Sequence, residues 1–130
     1  NKDNWQEYYN SEGRDMTDCD LSQATLGGAD LTNANLSGAT LYSANLENAD
    51  LTGATLYSAN LENADLTGAN LEGVISSAIR GVPDNLPEGW SLVDGTLLHC
   101  MFNELRWTGR GDKKRYTNNG DTSSRRLFCL

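Results

Sequence analysis

Large apolar residues recur at every fifth position across the first half of the chain. Met16, Leu21, Leu26, Leu31, Leu36, Leu41, Leu46, Leu51, Leu56, Leu61, Leu66 and Leu71 give twelve such centres without a slip. Two residues before each centre sits a second fixed position, filled by alanine from Ala24 to Ala69 and by Arg14 and Cys19 in the first two quintets. The residue between is always Asp, Asn or Thr. A period of five fits neither the 3.6 of an amphipathic helix nor the 2 of a plain strand, so both of those elements are excluded for this stretch.

This A-(D/N/T)-L-x-x pattern covers 60 of 130 residues and resembles the pentapeptide-repeat family, in its cyanobacterial type. The resemblance implies an all-β fold, a right-handed quadrilateral β-helix. Each quintet would form one side of a square and four quintets, about 20 residues, one coil. Twelve quintets then make about three coils, a body roughly 14 Å tall at an inter-strand spacing of ~4.8 Å. In that shape Leu21, Leu26, Leu31, Leu36, Leu41, Leu46, Leu51, Leu56, Leu61, Leu66 and Leu71 are the expected structural core. Each points inward onto the leucine one coil away, and the alanine fits the corner where a larger side chain would clash. The residue between them is turned outward by the alternation of a short strand. Gly, Asn and Ser follow the leucines because a corner every five residues needs turn-forming chemistry. Stacked coils are held by their neighbours, so each end is expected to carry a cap.

Residues 41–55 and 56–70 differ only at Thr55 and Asn70. Fifteen residues are three sides rather than four, so Tyr42 and Tyr57 fall on different sides. Outside the repeats, residues 1–13 are expected to form an N-terminal cap bearing Trp5, Tyr8 and Tyr9. The register is expected to break at Val74-Ile75-Ser76. Residues 74–98 then form a turn-rich excursion and C-terminal cap, and Gly81 to Leu98 is similar to excursions in cyanobacterial pentapeptide proteins. Within it Trp90-Ser91-Leu92-Val93 reads as a short strand, with Trp90 and Leu92 covering the lower coil. Residues 99–130 are a basic, non-repeat tail with a helix expected from Cys100 to Trp107.

The apolar share of 38% and aromatic share of 8% are low for an ordinary globular core, which the thin interior of a square solenoid explains. The net charge of −8 divides unevenly: residues 1–100 carry 15 acids against Lys2, Arg14 and Arg80, a net of −12, and residues 101–130 carry seven bases against three acids, a net of +4. An acidic body does not suit nucleic acid, because phosphate contacts want Lys or Arg. No apolar run approaches the ~20 residues of a membrane helix. The chain begins at Asn1 without a methionine, as expected of a processed product or a fragment.

Catalysis needs paired groups with opposed protonation tasks, and the sequence offers a single histidine, His99, with no catalytic or cofactor motif around it. An enzyme would have to build a pocket near His99, Cys100 and Asp94. His99, Cys100 and Cys129 fall short of a closed four-ligand zinc set, so no metal is expected. Cys19 occupies an inward, alanine-type position suited to an inert thiol. Cys100 and Cys129 form the one plausible disulfide, with free thiols as the alternative. A disulfide would favour a periplasm or thylakoid lumen over the cytoplasm.

The acids map onto all four sides: Asp30, Asp50 and Glu72 on one, Glu47 and Asp65 on another, Asp15 and Asp18 on a third, Asp20 and Glu62 on the fourth. The expected function is a non-enzymatic scaffold or interaction module whose partner is another protein. Family resemblance supplies one alternative, an acidic mimic of DNA that binds DNA gyrase.

Overall fold

The computed structural model of the chain describes residues 5–10 and 13–99. Its geometry is set by one backbone choice repeated every five residues. The second residue after each centre has positive φ: Asp18, Gln23, Gly28, Asn33, Gly38, Ser43, Asn48, Gly53, Ser58, Asn63 and Gly68 lie between 56° and 71°. The next alanine-position amide donates back to the carbonyl of the centre, as Ala24 does to Leu21 at 3.0 Å and Ala44 to Leu41 at 3.0 Å. An i to i+3 bond with positive φ at the third residue is the signature of a type II turn. Each turn consumes four residues of the quintet, so only the Asp, Asn or Thr before the centre is left for inter-strand pairing.

That residue pairs in parallel with the residue 20 positions on. Four ladders result: Asp15–Asn35–Thr55–Ile75, Asp20–Thr40–Asn60–Arg80, Thr25–Asn45–Asp65–Asn85 and Asp30–Asp50–Asn70. Along the second, Leu21 donates to the Thr40 carbonyl at 2.7 Å and Thr40 donates back to Cys19 at 2.9 Å. Continuous strands are therefore not the unit of this body. Among the described residues, only Trp90–Val93 (β1) and Thr96–His99 (β2) form strands of more than one residue.

Inside the ladders, Met16 and every leucine centre from Leu21 to Leu71 are essentially inaccessible to solvent. The alanines are buried too, except where the first rung is open: Arg14, Cys19 and Ala29 are half-buried, whereas Ala34, Ala39 and Ala49 below them are closed off. Side chains of one size at one position stack in columns, with leucine at the centres and alanine at the corners.

The ladder runs past Gly73, where the sequence pattern predicts a break. Ile75, Arg80 and Asn85 still pair with Thr55, Asn60 and Asp65. Pairing is made by backbone groups, so it survives when the centres become Ser76 and Gly81. Asp94 and Gly95 follow at φ 50° and 78°, the two left-handed residues of a type I′ hairpin turn, and join β1 to β2. The sequence reading found β1 and missed β2, although Asp-Gly between apolar residues is the strongest short-range hairpin signal. The Gly95 carbonyl accepts from the Ile79 amide at 3.0 Å. A helix, α1 (Trp5–Tyr9), precedes the first rung. The described residues divide into two compact units, one running up to Glu88 with Asp94–Thr96, the other of Gly89–Val93 with 97–99.

Two comparisons test this account. Leu46→Ala should destabilise the protein by about 2–5 kcal/mol in denaturant unfolding, because its column cannot close the cavity. Glu47→Ala, one residue on and exposed, should cost less than about 0.5 kcal/mol. Equal costs would contradict the inward and outward assignment. Gly28 and Gly68 share the same left-handed backbone, but a Cβ on Gly28 meets nothing, whereas one on Gly68 collides with the Asn48 side chain stacked above it. Gly68→Ala should therefore lower the melting temperature more than Gly28→Ala, and a reversed order would refute the stacking of turn residues.

Candidate functional site

The outer surface is built by the ladder residues, and their chemistry is local. The Oδ1 atoms of Asp15, Asp30, Asn45, Asp50, Asp65 and Asn70 accept the amide of the residue two further on at 2.8–3.1 Å. At Thr17, Ser37, Thr52 and Thr67 the hydroxyl adds a second bond, as Thr52 does to Asp50 at 2.5 Å and Ser37 to Asn35 at 2.7 Å. These are Asx turns, which steer the chain into the following corner. The sequence reading placed these residues outward but missed this role, although Asp or Asn two residues before Thr or Ser was a visible signal.

The four sides differ in character. The side of the fourth ladder stacks Asp30 directly against Asp50, with Glu72 beside Asn70. That of the third carries Glu47 and Asp65. The side of the first has two acids, both in its first rung, Asp15 and, at the corner, Asp18. The exposed large hydrophobic residues among those described are Tyr42, Tyr57, Ile75 and Val82. Tyr57 and Ile75 belong to the first side, Tyr42 and Val82 to the second, so the third and fourth hold none of them.

At the open first rung, Arg14 donates to the Thr32 carbonyl at 2.6 Å. In later rungs that type of carbonyl accepts a backbone amide from the rung before, as Thr52 accepts Asn33. Arg14 thus supplies a donor where no earlier quintet exists, and its guanidinium lies 4.4 Å from the centre of the Tyr9 ring. Tyr9 meets Trp5 edge to face, with ring centres 6.2 Å apart. Between α1 and the first rung is a cleft of about 360 Å³, walled by Trp5, Gln6, Tyr9 and Asn10 on one side and Thr25 and Asp30 on the other. The Tyr9 hydroxyl is buried beside Asp30, and their contact falls short of good hydrogen-bond geometry. Burial first, and the Asp30 charge second, push the Tyr9 phenol above its ordinary pKa, with Arg14 opposing.

The leucine centres line the closed interior and reach no cleft. Cys19 is a free, half-buried thiol, pushed up in pKa by burial. Cys100 and Cys129, with the helix expected over Cys100–Trp107, lie outside the described residues. His99 stacks on Trp90, ring centres 4.8 Å apart and planes 9° from parallel. Asp94 forms the hairpin turn. Among the described residues no group of three or more His, Cys, Asp or Glu is placed to hold a metal ion, and no helix is long and apolar enough to cross a membrane.

A body of four-residue turns recurring every fifth position, with ladders joining residues 20 apart and a stacked leucine interior, defines a repeat solenoid. The family profile described as pentapeptide repeats (8 copies) matches residues 15–53 and 34–73. A pentapeptide repeat protein from the cyanobacterium Cyanothece 51142 is 38% identical, over 57% of this chain and 54% of its own, with a TM-score of 0.38. Another, from Nostoc Pcc 7120, is 32% identical over 68% of this chain and 86% of its own, with a TM-score of 0.34. HetL, a pentapeptide repeat protein involved in heterocyst differentiation regulation from Nostoc sp. strain PCC 7120, is 35% identical over 64% of this chain and 40% of its own, with a TM-score of 0.28. The chain therefore spans about half the length of the Cyanothece protein. No curated protein matches it. The chain belongs to the pentapeptide repeat family, whose members fold as right-handed β-helices.

The Asx turns carry a pH dependence. The carboxyls of Asp15, Asp30, Asp50 and Asp65 are held below the ordinary value, first by the threonine side chain two residues on and then by its amide. A depressed native pKa contributes stability that is complete above the unfolded value near 4 and is lost as pH falls through the native values. Replacing all four with Asn keeps the acceptor, as Asn35 and Asn45 show, but removes the titration. Melting temperatures should then fall less between pH 5 and pH 2.5 in the variant than in the native chain. An unchanged acid limb would refute the assignment.

Proposed function

We propose that the repeat body is a quadrilateral β-helix of about three coils, extended by the ladder residues Ile75, Arg80 and Asn85 and capped by α1 at its N-terminal end, and that it acts as a non-enzymatic scaffold binding another protein. The observation that carries this reading is the placement of Tyr42, Tyr57, Ile75 and Val82 on two adjacent sides. Tyrosine presents a large contact area at small entropic cost and is enriched in protein interfaces. The first side sets Tyr57 and Ile75 among Thr55, Ser37 and Ser77, a nearly neutral stretch beyond the Asp15 and Asp18 of its first rung. A partner can dock there with little charge desolvation. A periplasm or thylakoid lumen is slightly favoured over the cytoplasm, a reading that would follow from a Cys100–Cys129 disulfide and not from free thiols.

The alternative is an acidic DNA mimic that binds DNA gyrase, favoured by the stack of Asp30 on Asp50. The two readings use different sides. Partners captured from cyanobacterial extract would be purified and titrated against the native chain, a Tyr57→Ser/Ile75→Thr variant and a Glu47→Gln/Asp50→Asn variant. The scaffold reading expects the first variant to lose about tenfold or more in affinity, equivalent to ~1.4 kcal/mol, and the second to bind as the native chain does. Loss confined to the acidic variant, with protection of gyrase supercoiling, would overturn it in favour of mimicry.

A further inference from the structure

The corner between the first and second sides carries an anchored arginine next to exposed apolar residues. We propose that the segment of the partner protein that covers the first side bears a carboxylate, an acidic residue close to a large apolar one, and that Arg80 receives it. The inference rests on the scaffold reading for the face and adds the chemistry of what docks there.

Arg80 is a ladder residue of the second side, paired with Asn60, yet its side chain runs back to the corner, where Nε donates to the Ser58 carbonyl at 3.0 Å. Ser58 directly follows Tyr57, so the guanidinium is held at the edge of the first side. Part of the rotamer freedom that an interface arginine gives up on binding is therefore already lost. With Nε engaged, the terminal amino groups remain as donors on a planar edge that matches a carboxylate. The corner column of Gly38, Ser58 and Ala78 is made of small residues, and Arg80 is exposed.

The surroundings select the side from which a carboxylate approaches. On the second side Glu62 stands in the turn column between Tyr42 and Val82, and its charge repels a further acid. On the first side Thr55, Tyr57, Ile75 and Ser77 are uncharged. Its acids, Asp15 and Asp18, belong to the first rung, two rungs from Ser58, a separation of about 10 Å at the ladder spacing and beyond the Debye length of ~8 Å in physiological salt. Tyr57 and Ile75 are both exposed and supply the apolar contact. Tyrosine and arginine are the residue types enriched in interface hot spots. A neutral segment laid over this corner would strip water from the terminal amino groups of Arg80 without returning an acceptor, which costs affinity.

The full chain, labelled at arginine and isoleucine, would be titrated with acetyl-Leu-Ser-Glu-Leu-amide and with the isosteric acetyl-Leu-Ser-Gln-Leu-amide while the Arg80 Nε–H and Ile75 methyl resonances are followed. Both resonances should shift saturably, and the Glu peptide should bind about fivefold or more tightly than the Gln peptide. Arg80→Gln should bring the two peptides to one affinity. Equal affinities in the native chain, or a preference that survives Arg80→Gln, would overturn the carboxylate whatever the apolar face binds. A Glu104→Gln/Asp112→Asn/Asp121→Asn variant should bind the Glu peptide as the native chain does; a several-fold gain would assign Arg80 to an acid of its own chain and overturn the partner as the source. Binding of neither peptide would also overturn the inference, while the scaffold reading stands or falls on capture by the Tyr57→Ser/Ile75→Thr variant.

Discussion

A left-handed backbone residue at every fifth position is the constraint from which the rest of this protein follows. L-residues occupy that region reluctantly, and only glycine, asparagine and a few small polar residues do so at little cost. Asn33 over Gly53, and Asn48 over Gly68, show the solution: one member of a stacked pair offers a side chain, the other leaves room for it. Once each corner is fixed, the residue before the leucine is brought into register with its neighbour 20 positions on. Leucine and alanine have no choice but to fill the inside. The core is a consequence of the turns, and its uniformity reflects the uniform space they enclose.

The interior and the corners were legible in the sequence because they are written in residue types of fixed spacing. Leucine and alanine columns, outward Asp and Asn, and Gly, Asn or Ser at corners could all be read from Arg14 to Gly73. The continuation through Ile75, Arg80 and Asn85 could not, since backbone pairing leaves no mark on side-chain pattern when Ser76 and Gly81 replace leucine. Arg14 was visible only as an exception in the alanine position. Its contacts with Thr32 and Tyr9 depend on the first rung, which has no rung before it to donate an amide. The cleft was illegible for a similar reason: it joins α1 to Thr25 and Asp30, positions that no local period relates.

The outside obeys a different logic from the inside. Interior positions are restrained by four walls, whereas an outward residue answers only to its own turn and to the rung on either side. Asp and Asn are interchangeable as turn acceptors, yet they differ by a full charge. Electrostatic character can therefore drift from one side to another with the backbone undisturbed. Acid accumulates around Asp30, Asp50 and Glu72, while the side of Tyr57 and Ile75 remains nearly neutral. A single fold thus presents surfaces of unlike chemistry on its different ladders.

The near-identity of residues 41–55 and 56–70 has a further implication in this geometry. Any insertion or deletion of one quintet leaves every leucine inside, because all quintets are equivalent to the core. It nevertheless turns everything downstream by a quarter of a revolution. The copied tyrosine, Tyr57, accordingly faces a direction different from that of Tyr42. Changes of length that an ordinary globular domain would register as damage act here as a change of address for surface residues, so duplication alone can redistribute what the protein shows to its surroundings.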